Sequence, residues 1–476
     1  MRLTLTANNS RPFLFFLAFL IPLYLTWTFD HSLWNPDETR DAGIAWNMHH
    51  ARDYAVPRLN GQAFLEKPPL YYWAANFIYE MTGQRTAGTT RLPSALFGML
   101  GALFTYLIGR RLFNERVGFF AGALLATSYQ YFWMSHFALM DVMLAALIAG
   151  AFYFHLKGSR LGFILMTVLA FYAKGFLGVI LTGTVVTIDL LVGRKPMELA
   201  KVIGLGAVLF ALGVGPWFWS LWKSGGTDYL KIFLIDNHWH RFATQTGDHT
   251  EHGWYFYFLS FWGDFLPWSI LFAGFLWSLR KKWSTIIAAR PTRFLMFWFF
   301  GMLAFFTLSS SKRSIYLLPL FPAAALLCAV WLDGVLKGNP NELKLESRWL
   351  ALFAGFSFLI IVSSFFLPRK LDKNKTFVPL CDIVKANVGS GTIAGYNLSE
   401  MERGVFSFYF DRLLPNPVDL SQLDQFVKEK KGETFMLIIN RRKLEEVQST
   451  LQGQAKLFYE YRPDKPQRSY LVYTNR

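Results

Sequence analysis

The sequence has little cysteine and little charge. Its 476 residues include two cysteines, Cys328 in an apolar run and Cys381 in a polar tail, and no CxxC spacing. Cysteines in such different settings predict no structural disulfide and no zinc finger. Charged residues make up 17% of the chain, against roughly 25% in an average soluble domain. These shortages argue against a disulfide scaffold, a disordered chain and a soluble enzyme of this size.

Apolar and aromatic residues are abundant instead. The apolar set accounts for 53% of the chain, with 48 Phe, 20 Tyr and 17 Trp. Because about 20 apolar residues are needed to cross a bilayer, we predict a polytopic α-helical membrane protein with about eleven spans, within a range of eleven to thirteen. The predicted spans are 12–29, 91–109, 117–134, 137–156, 160–173, 176–192, 199–222, 254–279, 294–308, 314–333 and 348–367.

The net charge of +16 has a pattern along the chain. Every second short connection between spans is basic, as the positive-inside rule requires of cytoplasmic loops. The basic connections hold Arg110, Arg111 and Arg116; Lys157 and Arg160; Arg194, Lys195 and Lys201; Arg280, Lys281, Lys282, Arg290 and Arg293; Lys337, Lys344 and Arg348. We therefore predict a cytoplasmic N-terminus and an outward C-terminus, and no nucleic-acid partner.

Three non-membrane regions lie on the outer side in this topology: the loops 30–90 and 223–253 and the tail 369–476. The tail predicts a small α/β domain, separate from a membrane domain over 1–368. Its predicted strands are 392–396, 435–439 and 469–473, and its predicted amphipathic helices are 420–430 and 443–452.

The first outer loop begins with the adjacent carboxylates Asp37 and Glu38, which are candidate catalytic residues. Two adjacent carboxylates just after a span, at the membrane surface, could serve as a base and as a metal or hydrogen-bond ligand. The same residues also suit a helix start, with Asn35 as the N-cap, Pro36 as the first helical residue and Glu38 in a capping box. Both interpretations stay open.

Further along, Glu66 and Lys67 precede Pro68, which can start a helix at the interface. A lysine at a helix N-terminus is well placed to hold a phosphate, although a solvated Glu-Lys pair is an equal alternative. In the second outer loop, His238 belongs to a group of four histidines that predicts a metal or acid–base site. The His-Glu-x-x-His spacing of metallopeptidases is absent, which excludes that chemistry.

Charges that border spans indicate function, because they are costly near hydrocarbon. Lys174, Lys312 and Arg313 all lie toward the outer side in the predicted topology, and Tyr316 opens the tenth span. Together with Lys67 and Arg241, these cations would line an outer cavity suited to a lipid-linked phosphate or pyrophosphate.

An ordered set of short motifs resembles the GT-C class of membrane glycosyltransferases, above all the aminoarabinose transferases of lipid A and the related protein O-mannosyltransferases. The motifs are Asp37-Glu38-x-Arg40, Val56-Pro57-Arg58-Leu59-Asn60-Gly61, Glu66-Lys67-Pro68-Pro69-Leu70-x-Tyr72-Trp73, Arg91-Leu92-Pro93-Ser94, Lys174-Gly175, Gly215-Pro216-Trp217, His238-x-x-Arg241-Phe242, Leu266-Pro267-Trp268, and Ser311-Lys312-Arg313 with Tyr316-Leu317-Leu318-Pro319.

This resemblance implies an inverting transfer of a sugar, such as 4-amino-4-deoxy-L-arabinose, from a polyprenyl phosphate at the periplasmic face of a bacterial inner membrane. The acceptor would be lipid A, another glycan or a protein. By position, Asp37 is similar to the essential loop carboxylate, and Glu66 and His238 to residues that hold a divalent metal (Zn, Mg or Mn). Lys67 is similar to a phosphate contact. The further expected phosphate contacts are Arg241, Lys312 and Tyr316.

Several alternatives remain at this point. The chain is shorter than typical aminoarabinose transferases, so the acceptor could differ within the same chemistry. A transporter or flippase for a lipid-linked anion would also explain a basic cavity, but not the two carboxylate-bearing pairs on one outer loop. The tail could be a binding module for wall or glycan. We expect a monomer.

Overall fold

The computed structural model describes residues 11–34, 36–240, 253–462 and 469–475, and this part of the chain is mainly helical. The helices before the tail are α1 (Arg11–Leu25), α2 (Pro36–Ala51), α3 (Leu70–Thr82), α4 (Ala87–Leu112), α5 (Glu115–Ala126), α6 (Tyr129–Met134), α7 (Met140–Lys157), α8 (Arg160–Lys174), α9 (Phe176–Val192), α10 (Pro196–Lys231), α11 (Phe256–Asp264), α12 (Ser269–Ala288), α13 (Arg290–Leu308), α14 (Phe321–Lys337) and α15 (Glu342–Ser364). A π-helical segment, Ile232–His240, continues α10, and a 3₁₀ helix, Ser314–Leu320, precedes α14.

Six helical segments in the described residues are long and apolar enough to cross a bilayer, which identifies a helical membrane protein. They are Ala87–Leu112, Met140–Lys157, Pro196–Asn237, Arg290–Leu308, Ser314–Lys337 and Glu342–Ser364. Shorter apolar helices cover Pro12–Leu25, Phe176–Val192 and Ser269–Arg280.

Two of the predicted spans are wrong as single helices. The predicted span 117–134 divides into α5 and α6, and the predicted span 254–279 divides into α11 and α12. The two breaks lie against each other: Tyr129 N donates to the Leu266 carbonyl at 2.8 Å, and Trp268 Nε1 donates to Thr127 Oγ1 at 2.9 Å. Backbone groups freed from a helix within an apolar bundle need such partners, so the breaks stabilise each other.

A fully buried ion pair connects the first outer helix to the membrane bundle. Arg91 on α4 donates through Nε to Glu38 Oε1 at 2.6 Å and through Nη2 to Glu38 Oε2 at 3.1 Å, and neither side chain is exposed. The same guanidinium donates to the carbonyls of His31 and Ser32 at 2.7 and 2.6 Å. Arg91 therefore ties the connection between α1 and α2 to α4.

The Glu38 carboxylate uses its remaining capacity on backbone donors. It accepts from Trp34 N at 3.1 Å, just before α2 begins, and from Ala138 N at 3.1 Å, just before α7 begins. Glu38 thus accepts a backbone hydrogen bond from just before its own helix, as a capping residue does. It also holds three segments of chain together. The predicted N-cap, Asn35, lies outside the described residues.

Within its described residues, the tail has five more α-helices and a four-stranded sheet. The helices are α16 (Leu367–Asp372), α17 (Val378–Val388), α18 (Glu400–Phe410), α19 (Leu420–Glu429) and α20 (Leu444–Leu451). A small hairpin in the first outer loop supplies β1 (Arg58–Leu59) and β2 (Gln62–Ala63), and the tail supplies β3 (Thr392–Gly395), β4 (Phe435–Asn440), β5 (Lys456–Tyr461) and β6 (Tyr470–Thr474).

The sheet has the strand order β3-β4-β6-β5, in which β3 and β4 are parallel and the other neighbours are antiparallel. The three predicted tail strands and both predicted tail helices are present, while β5, α17 and α18 were not predicted. Most of β5 is exposed or half-buried, with no alternation of buried and exposed residues. That alternation is the signal by which a strand is recognised.

The tail packs directly on α2 through a pair of glycines. A Cβ on Gly43 of α2 would lie 2.4 Å from Gly404 Cα of α18, and a Cβ on Gly404 would lie 2.3 Å from the Thr39 carbonyl oxygen. Only glycine permits backbones to approach so closely. Nearby, Asn60 exchanges two 2.9 Å hydrogen bonds with the backbone of Leu414. The first outer helix therefore lies between the membrane bundle and the tail.

Replacing Glu38 by alanine should destabilise the protein strongly, because it leaves the Arg91 charge buried without a partner. Breaking a buried pair on one side costs about 3–5 kcal/mol. The measurement is thermal unfolding of the purified protein in detergent. The matched control is Glu80→Ala, which removes an exposed carboxylate that pairs with Arg52 and should change the melting temperature little. Equal shifts in the two variants would contradict the anchoring role.

Candidate functional site

The first turns of α2 place three charged side chains on one face. Asp37, Arg40 and Asp41 follow the i, i+3, i+4 spacing that makes helical neighbours. Arg40 Nη1 lies 3.2 Å from Asp37 Oδ1, and Arg40 Nε lies 3.4 Å from Asp41 Oδ1. Lys67 joins them from the segment before α3, with its Nζ 3.7 Å from Asp41 Oδ2. The Asp41 side chain is fully buried, and that of Lys67 is mostly buried.

A second group of charges reaches this cluster from the membrane bundle. Arg313, just before the 3₁₀ helix, donates through Nη2 to Asp37 Oδ2. Lys174, at the end of α8, donates to Asp141 at the start of α7, and its Nζ lies 4.6 Å from the centre of the Tyr316 ring. Asp141 is close enough to Arg313 to help raise the pKa of the Arg313 guanidinium, so the two groups of charges interact.

The structure therefore brings together five of the predicted site residues: Asp37, Lys67, Arg313, Lys174 and Tyr316. Lys174 has a carboxylate partner of its own, which the sequence argument did not assign. Lys312 is different, since its side chain is buried and its Nζ donates to the Ser309 carbonyl at 2.6 Å. It turns back to its own loop instead of joining a phosphate site.

The prediction that Glu38 is catalytic needs correction. Its carboxylate is fully buried and accepts four hydrogen bonds, two of them from Arg91. A catalytic carboxylate must reach a substrate, and a residue bonded in this way on both oxygens cannot do so without breaking the Arg91 pair. Glu38 is a structural anchor beside the site.

The predicted metal ligands are only partly described. Glu66 is half-buried and close enough to Arg40 and Lys67 to act on the pKa of both. The side chain of His238 and the whole of Arg241 lie outside the described residues. Within the part of the chain that is described, no group of three or more His, Cys, Asp or Glu side chains could hold a metal ion.

Two central residues were missed as site residues by the sequence argument. Arg40 was noted only as a motif position and Asp41 not at all, yet both contact the predicted residues. The signal was available, because Asp37, Arg40 and Asp41 share one face of any helix that starts near Pro36. Tyr72 is a third addition: its hydroxyl donates to Asp41 Oδ1 at 3.2 Å.

The surroundings lower the pKa values of both Asp37 and Lys67, but for different reasons. Burial alone would raise the pKa of Asp37, but Lys67, Arg40 and Arg313 outweigh it and hold that pKa well below its ordinary value of 3.8. Burial and the neighbouring Arg40 lower the pKa of Lys67, against the pull of the surrounding carboxylates. Asp37 is therefore an anion at any physiological pH.

Three cations (Arg40, Lys67, Arg313) and three carboxylates (Asp37, Asp41, Glu66) make up this centre, so its charge is balanced. An arriving phosphate finds donors that are already oriented and held by carboxylates. Arginine and lysine are the usual partners of phosphate oxygens. The arrangement is suited to binding a phosphate and stabilising charge that develops on it.

Comparisons with known proteins show which families the chain resembles. The sequence pattern of the dolichyl-phosphate-mannose-protein mannosyltransferase family matches residues 66–219. An undecaprenyl phosphate-α-4-amino-4-deoxy-L-arabinose arabinosyl transferase of Pseudomonas fluorescens is 32% identical over 347 residues, which cover 70% of this chain and 57% of that protein. One from Pseudomonas savastanoi is 29% identical, over 88% of this chain and 80% of its own length.

Among solved structures, ArnT from Cupriavidus metallidurans bound to undecaprenyl phosphate superposes with a TM-score of 0.79 at 20% identity, over 98% of both chains. This likeness shows the fold alone. The matches to the first curated relatives span about three fifths of their length, between 57% and 63%.

We expect Asp37 to stay ionised to an unusually low pH. Because its folded-state pKa is depressed, the stability it contributes is present above its unfolded pKa and is lost only as the pH falls through the folded value. Infrared difference spectroscopy during an acid titration, assigned with Asp37→Asn, measures this protonation. Arg313→Gln should move it to higher pH. Protonation of wild-type Asp37 at or above 3.8 would contradict the charge assignment.

Proposed function

Since this chain belongs to the aminoarabinose transferase-like proteins of the GT-C class, we propose that it is an inverting glycosyltransferase. It moves 4-amino-4-deoxy-L-arabinose from undecaprenyl phosphate to lipid A or to another acceptor at the outer face of the membrane. The relatives' names support the sugar and the lipid carrier. The observation that carries the proposal is the cluster of three cations around Asp37 at the start of α2.

The donor phosphate is the leaving group. The bond between the anomeric carbon and the phosphate oxygen breaks while the acceptor oxygen attacks from the opposite side, so one displacement inverts the anomeric centre. Negative charge then grows on the phosphate. Lys67, Arg40 and Arg313 are the cations that stabilise it, and they are oriented before the reaction begins, which is where such stabilisation is most effective.

Asp37 has a different part in this scheme. Its depressed pKa makes it a weak base, and proton transfer is efficient only when the pKa of the base is near the working pH. An acceptor that is already an anion, such as a phosphate of lipid A, needs no deprotonation. We therefore assign Asp37 to orienting the cations and the reacting groups, and its low pKa favours a phosphate acceptor over a hydroxyl.

A divalent metal at Glu66 and His238 remains part of the proposal. A carboxylate and an imidazole are ligands that Zn²⁺ and Mn²⁺ accept, and a catalytic metal keeps open positions for substrate oxygen, so these two residue types fit. When bound, a metal (Zn, Mg or Mn) would add positive charge at the donor phosphate. Elemental analysis of wild type and Glu66→Ala tests this: loss of bound metal in the variant supports it, and a metal-free wild type contradicts it.

We propose the following topology for the enzyme. The N-terminus lies in the cytoplasm of a bacterial cell, about eleven segments cross the inner membrane, and the active site and C-terminus face the periplasm. The segment 369–476 forms a periplasmic domain, and the protein acts as a monomer. The alternating basic connections support this orientation, and the contacts of α2 with both the bundle and α18 agree with a tail on the side of the active site.

A protein hydroxyl is the second candidate acceptor, favoured by the match of residues 66–219 to the protein mannosyltransferase pattern. Mass spectrometry of lipid A, glycoproteins and surface glycans, from cells with and without the gene, separates the two. An aminoarabinose-sized loss of mass on lipid A alone supports the first acceptor. A loss confined to glycoproteins would replace it with the second.

Asp37→Asn and Glu66→Ala should each abolish sugar transfer by the purified protein in detergent, with normal insertion and melting temperature. The first removes the anion that orients the cations, and the second removes the carboxylate beside Arg40 and Lys67. The matched control is Asp53→Asn on the same outer loop, which pairs with Arg58 outside the cluster and should retain activity. Near-normal transfer by both test variants would refute the site.

Transfer by the wild type in detergent, where no compartments exist, excludes transport as the sole activity.

A further inference from the structure

A second charged centre lies at the opposite end of the helices that carry the active site. α7 begins beside Asp141 and α8 ends at Lys174. Both residues lie beside the charged centre around Asp37, which is called the catalytic cluster below. The far ends of these helices, at Lys157 and Arg160, are about 20–25 Å away at 1.5 Å per residue. There they meet the end of α9 and the beginnings of α10 and α13 around a cavity of about 250 Å³.

The carboxylates at this cavity are already neutralised. Asp189 Oδ2 lies 3.0 Å from His155 Nε2 and 2.8 Å from Arg290 Nη2. Glu198 Oε2 lies 2.6 Å from Arg160 Nη2, and its other oxygen is 3.5 Å from a further lysine on α10. Both carboxylates therefore form ion pairs that join the ends of neighbouring helices.

Two lysines at the cavity form no ion pair within the described residues. Lys157 and Lys195 line it and are exposed, and within the described residues neither has a carboxylate partner. With Arg160 and Arg290, the lining holds four Lys or Arg side chains and one carboxylate, Glu198. Counting also Asp189, the partner of Arg290, leaves a surplus of about two positive charges. This surplus makes the cavity attractive to an anion.

The wall of the cavity is apolar below its charged rim. Its apolar lining residues are Leu156, Phe163, Leu190 and Val202. Beside it, Leu161 and Leu191 have 54% of their surface exposed, as expected for side chains that face lipid. A free anion would contact only the charged rim. A phospholipid would place its phosphate at the rim and its hydrocarbon chain against the apolar wall. The apolar wall therefore favours an anion that comes from the membrane.

We propose that this cleft binds the phosphate of an anionic phospholipid in the leaflet opposite the catalytic cluster. Lys157 and Lys195 hold the phosphate oxygens, and the apolar wall takes the first part of an acyl chain. Basic pockets between membrane helices are known to select anionic headgroups in this way. The bound lipid joins α7, α8 and α10, so it stabilises the far ends of the helices whose near ends carry Asp141 and Lys174.

Lipid-dependent melting of the purified full-length protein in detergent tests this proposal. The probes are phosphatidylglycerol, phosphatidylethanolamine as a zwitterionic comparison, and inorganic phosphate. We expect phosphatidylglycerol to raise the melting temperature by on the order of 2–4 °C relative to phosphatidylethanolamine, since a ligand that binds only the folded state stabilises it. In the Lys157→Gln/Lys195→Gln double variant, the shift should be lost and the affinity by native mass spectrometry reduced roughly tenfold.

The matched control is Lys344→Gln/Arg348→Gln, which removes the same charge from the same face outside the cleft and should keep the full shift. The cleft variant should keep its basal sugar transfer, because it contacts neither donor nor acceptor. If inorganic phosphate reproduces the shift and the cleft variant loses it, the phosphate site stands with a free anion as its source. An equal phosphatidylglycerol shift in wild type and cleft variant, or an equal loss in the control variant, would overturn the proposal.

Discussion

The buried ion pair between Glu38 and Arg91 is the constraint on which the catalytic side of this protein depends. Burying two charges is expensive unless both are fully hydrogen-bonded, and here each oxygen of the carboxylate has two donors. The partners come from three separate stretches of chain. As a result, the start of α2 is fixed relative to α4 and α7. The positions of the side chains on its first turns are fixed with it.

The position of Glu38 also sets the direction of the neighbouring Asp37 side chain. Successive residues on an α-helix point about 100° apart, so fixing Glu38 toward the bundle directs Asp37 into the space shared with Lys67 and Arg313. On its other side, α2 is held against α18 by the glycine contact at Gly43 and Gly404. Arg40 extends this link, with its Nη1 3.6 Å from a carboxylate oxygen of Glu400 at the start of α18. The tail therefore contacts the charged face of the site's own helix.

Much of this arrangement was predictable from the sequence. Composition and apolar runs predicted a helical membrane protein, and the motif order pointed to the site residues Asp37, Lys67 and Arg313, which the structure brings together. The helix spacing of Arg40 and Asp41 held further information that was not used. Three of the four tail strands, β3, β4 and β6, were recognisable because they are mostly buried, apolar and short.

The remaining features depend on contacts that a single chain segment does not reveal. Glu38 looked catalytic because its partner, Arg91, is 53 residues away. Lys174 looked free because its partner Asp141 lies on another helix. The breaks between α5 and α6 and between α11 and α12 form hydrogen bonds with each other across the bundle. Hydropathy alone predicts each pair of helices as one span. In every case a tertiary interaction decided the role of a residue whose local sequence was ambiguous.

The central claim is that the cations around Asp37 hold the phosphate of the lipid-linked donor. A structure of this protein with undecaprenyl phosphate bound tests it most directly. We expect phosphate oxygens within hydrogen-bond distance of at least two of Lys67, Arg40 and Arg313, with the pair between Glu38 and Arg91 unchanged. A phosphate bound elsewhere, with none of these three side chains in contact, would contradict it.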